Sequence, residues 1–112
     1  MENCSTNSTR SFLIKLGFMP NLRGFDCIET ALNLCIEHPT YIFAITKDVY
    51  PIIARKYQSS VSKTERNIRS CISKAEELSN PAFEELFAPY KNCRLTNSLV
   101  LNVLLEKVKN QK

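Results

Sequence analysis

The chain has 112 residues, one domain's worth, and a chain of this size buries about two thirds of its extended surface, so it folds without staples. With 44% apolar residues, two glycines and no tryptophan, it is excluded from the disordered class. Of its formal charge of +4, the whole excess lies between Lys47 and Glu76, where seven basic residues face three acidic ones. A local field of that sign favours a polyanionic partner.

The order of elements follows from apolar spacing. Residues 1–9 are polar and read as a flexible N-terminus, and residues 10–112 as a single domain. Arg10 to Leu16 predicts a short helix stopped by Gly17, with Phe18-Met19-Pro20 as connector. A longer helix runs from Asn21 or Gly24 to Glu37, with Phe25, Ile28, Ala31, Leu32, Cys35 and Ile36 at core spacing. Tyr41 to Ile45 reads as one or two helical turns. Thr46 is expected to cap the next helix, which turns Val49, Tyr50, Ile53, Ala54 and Tyr57 inward and holds Pro51 early, where a missing N–H costs least. Gln58 to Ser60 is the turn.

The helix after this turn runs to Leu78, capped by Ser60 or by a Ser62-x-x-Glu65 box. Pro81 to Phe87 predicts a short helix. Thr96 or Asn97 opens the last one, with Leu99, Val100, Val103, Leu104 and Val108 inward. Long alternating runs and glycine-rich hairpin turns are missing, so an all-α domain is expected.

Five cysteines at irregular spacing, with no CxxC, read as unpaired thiols in a reducing compartment. One histidine, His38, does not supply a zinc site, and no cofactor motif is present. No apolar window reaches the length of a membrane span, and the N-terminus has neither part of a signal peptide, so the expected location is cytoplasmic.

At about 100° per residue, Thr64, Ile68, Cys71, Ile72 and Ala75 form one narrow apolar stripe. Ser62, Lys63, Arg66, Arg69, Ser70 and Ser73 fall on the other side, flanked by Glu65 and Asn67. A major groove about 12 Å wide admits such a helix. Arginine's fork pairs with guanine O6 and N7, and Glu65 could accept from a cytosine amino group. Lys47, Arg55 and Lys56 on the preceding helix are candidates to clamp the DNA backbone, with Ser60, Ser62 and Ser70 bonding phosphates. The turn departs from a standard helix-turn-helix. If Ala54 takes the usual small position, Ser59, Thr64 and Asn67 fall where apolar residues are expected. A packing set of Val61, Thr64 and Ile68 needs a longer turn.

The stretch "ITKDVYPIIARKYQSSVSKTERNIRSCISKAEE" closely resembles the DNA-binding effector domain of the stage 0 sporulation response regulators, the Spo0A family. "IKLGFMPNLRGFDCIETAL" and "LTNSLVLNVLLEKV" resemble that family's opening and closing helices, so the likeness covers roughly Phe12 to Lys109. The resemblance implies a six-helix, all-α domain with a modified helix-turn-helix at about 47–78. It implies sequence-specific binding to double-stranded DNA boxes, often in tandem or as a dimer, and regulation of transcription, linked to sporulation. It places DNA contacts at Lys63, Glu65, Arg66 and Arg69, and a surface toward an RNA polymerase sigma factor near Phe83, Glu84 and Phe87.

This sequence departs from the family's pattern at several points. Lys63 stands where arginine is usual, which keeps the charge and loses the fork. Val61 replaces a proline at the helix start, and Leu95 another before the closing helix. Ser73, Glu76 and Glu77 are also unusual. A phosphoacceptor receiver domain does not fit in 112 residues, so the chain reads either as an excised fragment or as a free-standing effector domain, with Met1 tilting toward the second. A free-standing domain would not be gated by its own phosphorylation. The rival to DNA binding is a protein-interaction module that has lost specific base reading. Catalysis is not expected: there is no P-loop, no G-x-S-x-G, and no carboxylate pair with an obvious cleft.

Overall fold

The computed structural model describes residues 4–110, and every regular element among them is helical. The α-helices are α1 (Cys4–Leu16), α2 (Arg23–Glu37), α3 (Tyr50–Lys56), α4 (Val61–Leu78), α5 (Pro81–Leu86) and α6 (Asn97–Lys109). The all-α, six-helix expectation therefore holds. α2 is the axis of the fold and packs on α1, α3, α4 and α6. Its Phe25, Ile28, Ala31, Leu32 and Cys35 are buried as their spacing predicts, while Ile36 is only partly covered.

α1 starts at Cys4, not at Arg10. Its opening residues are poor helix formers, so propensity argued for a frayed end. Packing on α2 overrides that. Thr9 is wholly buried and its Oγ1 donates to Asn33 Oδ1 at 3.2 Å. Arg10 reaches Glu29 at 2.8 Å and Asp26 at 3.7 Å, with its guanidinium 4.8 Å from the centre of the Phe25 ring. Of the expected flexible terminus, residues 1–3 lie outside the described residues.

The helix ends as Gly17 predicts. At φ +100 this glycine lets its own N–H reach the Ile14 carbonyl and the Phe18 N–H reach that of Leu13, the paired bonds of a Schellman motif. Phe18 and Leu13 are both buried, supplying the apolar contact that accompanies it.

Between α2 and α3 the chain forms a 3₁₀ stretch over Pro39–Ala44 and a π-helical stretch over Ile45–Val49 that runs directly into α3. Thr46 thus lies within a helical stretch and does not cap α3, correcting the expectation from sequence. No side chain caps α3, and Pro51 sits in its first turn as expected. At the other end of the chain, Thr96 Oγ1 accepts from the Leu99 N–H at 3.2 Å and caps α6. Leu101 and Leu105 join Val100, Leu104 and Val108 in the core, whereas Leu99 and Val103 are half-covered. α2, α4 and α1 all press on α6, so its buried arc is wider than one stripe.

Candidate nucleic-acid interface

α3 and α4 form the helix-turn-helix, and the turn owes its shape to a residue that is not glycine. Gln58 has φ 53, in the left-handed region. The Gln58 N–H bonds to the Arg55 carbonyl at 3.3 Å and the Ser59 N–H to that of Ala54 at 2.7 Å, the same motif that ends α1. A side chain in that conformation costs about 1 kcal/mol. Ser60 then caps α4, its Oγ accepting from the Lys63 N–H at 3.1 Å, which settles the choice between Ser60 and Ser62.

The inner face of α4 follows the predicted stripe. Thr64, Ile68, Cys71, Ile72 and Ala75 are buried, with Ala54 of α3 buried beside the turn. Val61 does not join this set. It is 36% exposed, because the cap places it in the first turn, beyond the reach of the core.

Two contacts fix how far α4 stands from the core and how it is rotated. Gly24 of α2 sits so close that a Cβ there would lie 2.1 Å from the Asn67 carbonyl oxygen and 2.7 Å from Cys71 Cβ. On the opposite flank, Asn97 at the start of α6 is buried, and its Nδ2 donates to the Glu65 carbonyl at 3.0 Å and to the Tyr50 hydroxyl at 3.2 Å. Burial pushes the Tyr50 hydroxyl above its usual range, so it stays protonated at neutral pH.

The outer face presents Ser62, Lys63, Arg66, Arg69, Ser70 and Ser73, all exposed, with Glu65 half-buried at its edge. Arg69 pairs with Glu65 one turn earlier, and Lys74 with Glu77 at 3.6 Å. Lys63 and Arg66 make no ion pair among the described residues, so both are available to an outside anion. Arg55 and Lys56 are exposed in the last turn of α3, the Lys56 ammonium 5.4 Å from the centre of the Tyr57 ring. Lys47 is exposed on the π-helical stretch and shares a groove of about 460 Å³ with Glu65, Asn97 and Ser98.

Over residues 9–108 the sequence matches the family described as sporulation initiation factor Spo0A C terminal. The chain belongs to this family.

The Spo0A C-terminal family comprises effector domains of a sporulation response regulator and is not an enzyme family. Of the residues expected to contact DNA, the structure brings Lys63, Glu65, Arg66 and Arg69 together on the first half of α4. Arg55 and Lys56 lie at the turn that precedes it, and Ser62 and Ser70 are open to solvent. Ser60 is exposed, yet its hydroxyl already serves the helix cap.

Two of the three residues expected at a polymerase surface are covered. Phe83 and Phe87 are buried, their ring centres 4.6 Å apart, and Phe83 lies 5.9 Å from Phe18. A six-residue helix can cover its apolar side only by pressing the aromatics into the core. Of the three residues named there, Glu84 alone is exposed.

Reasoning from sequence missed Gly24 and Asn97, which set the pose of α4. A glycine near the start of α2 and an asparagine in "LTNS" were signals of close approach and of a cap. Their partners across the fold had no signature. Cys27, Cys35, Cys71 and Cys93 are free thiols. Burial pushes Cys27 and Cys71 up to about 11, which leaves them as core filling. Among the described residues no helix is long and apolar enough to cross a membrane, and no group of three His, Cys, Asp or Glu could hold a metal.

Proposed function

We propose that this chain binds double-stranded DNA sequence-specifically, with the first half of α4 in the major groove, and so regulates transcription in a process linked to sporulation. Membership of the Spo0A C-terminal family carries the reading. The unpaired cations of α4 and the turn give it a mechanism. Arg66 supplies the planar fork for a guanine edge, and Glu65 and Arg69 present a paired acceptor and donor beside it. Lys63 adds charge at the first turn and suits phosphate better than a base. Lys47, Arg55, Lys56, Ser62 and Ser70 fix register on the backbone. One such module makes a limited contact, so tandem sites or a dimer on DNA would raise affinity.

Lys63 and Val61 favour a second reading, in which base reading is lost and the domain acts through protein contacts. The exposed acids Glu76, Glu77, Glu84 and Glu85 then offer a surface to a polymerase sigma factor or to a full-length regulator. Titration of the protein into a duplex carrying the family's box and into a scrambled duplex, at two salt concentrations, separates the two. The DNA reading expects at least tenfold preference for the box and a steep loss of affinity with salt, about 0.9 log units per log unit for each phosphate neutralised. Weak, equal binding to both duplexes would leave the protein-contact reading.

A further inference from the structure

α4 has two flanks, and they are supported differently. On the Glu65 side stand Asn97, Tyr50 and Lys47. On the other side α2 crosses at Gly24, and between its first turn and α4 lies an open groove of about 440 Å³. Arg23, Arg69, Ser70, Ser73, Lys74 and Glu77 are the charged and hydroxyl side chains that line it. Arg23 is exposed and makes no ion pair among the described residues, whereas Arg69 and Lys74 are each held by a glutamate.

A helix lying in a major groove is walled by phosphates on both sides. Lys47 stands on the Glu65 flank of α4, and no residue of α2 on the other flank has so far been assigned to the backbone. We infer that the groove between α2 and α4 receives a backbone phosphate of the second strand, with Arg23 as its principal cation and the Ser70 and Ser73 hydroxyls as further donors. This rests on the DNA reading above and extends it to a helix outside the helix-turn-helix. The chemistry fits: a guanidinium presents two parallel N–H groups to a phosphodiester, and serine hydroxyls add neutral donors at no cost in bulk. Gly24 has a role here beyond packing. By letting α2 touch the Asn67 carbonyl, it lets Arg23 and the serines of α4 line one groove.

A phosphate contact adds affinity without adding sequence information. The test is therefore a salt titration of wild-type protein, Arg23→Ala and Arg23→Lys on the box and scrambled duplexes, with Arg66→Ala as reference. Arg23→Ala should lower the salt slope by about 0.9 and weaken both duplexes by a similar factor, roughly three- to tenfold near 0.1 M salt. The preference for the box should not change, and Arg23→Lys should keep the wild-type slope. Replacing one phosphate of the flanking strand by a neutral methylphosphonate should weaken wild-type binding and leave Arg23→Ala unaffected. An unchanged slope and affinity in Arg23→Ala, with Arg66→Ala still abolishing the preference, would overturn this inference and leave the DNA reading standing. A changed preference with an unchanged slope would overturn it too, making Arg23 a base reader. Failure of the wild-type protein to bind either duplex would remove both.

Discussion

The two halves of α4 share one buried stripe and differ in everything they show to solvent. The first half exposes Lys63, Arg66 and Arg69 beside short serines, with Arg55 and Lys56 close by at the turn. The second half exposes Glu76 and Glu77, pairs its one lysine with Glu77, and is followed by Glu84 and Glu85 on α5. Burial therefore fixes where the helix lies, and charge decides which end of it can approach a polyanion. Phosphates attract the helix as far as Ser73 and repel its last turn, so an entering helix would be tilted, with Glu76 and the acids of α5 held away from the backbone. The acidic end is then free for another partner.

The largest effect expected from breaking this arrangement is structural. Gly24→Ala puts a methyl 2.1 Å from the Asn67 carbonyl, where no side-chain rotation relieves it, so α2 and α4 must separate. Overpacking of this kind costs about 2–3 kcal/mol, and urea unfolding should show the midpoint falling with little change in slope. Both halves of α4 would lose their pose together.

A smaller gain is expected from Lys63→Arg. It restores a planar fork to the basic half, and affinity for the box should rise by up to about tenfold, with affinity for the scrambled duplex hardly changed. Equal gains on both duplexes would mean that position 63 contacts phosphate alone. Reversing the acidic half with Glu76→Lys and Glu77→Lys should strengthen binding to both duplexes by roughly a few-fold at low salt and less at high salt. The preference for the box should be untouched. Smallest is Gln58→Gly, which relieves the left-handed backbone at the turn. Thermal unfolding should report a gain of about 0.5–1 kcal/mol, with DNA affinity unaltered.

Those positions also mark how far the sequence could be read. The stripe of α4, its polar outer side and the stop at Gly17 were legible because period and glycine are local signals. Ser60 as cap was legible as one of two options. Gln58 was not, since only glycine announces a positive φ, although both turns carry the same pair of hydrogen bonds. Thr46 misled because a cap residue looks the same inside a π-helical stretch, where the chain is already helical before it arrives. The start of α1 and the burial of Phe83 and Phe87 were set by neighbours distant in sequence. On the candidate interface, the cations of α4 were visible as one face. The placement of that face by Gly24 and Asn97, and the nearness of Arg23 to it, depend on the crossing of α2, α4 and α6.

The most direct test of the unequal halves is a map of amide chemical-shift changes in isotope-labelled protein as a box duplex is added. The account predicts the largest changes at Ser62 to Ser70, with further changes at Arg23, Lys47, Arg55 and Lys56, and little at Glu76, Glu77, Glu84 and Glu85. Changes centred on Glu76 to Phe87, or spread evenly along α4, would contradict it.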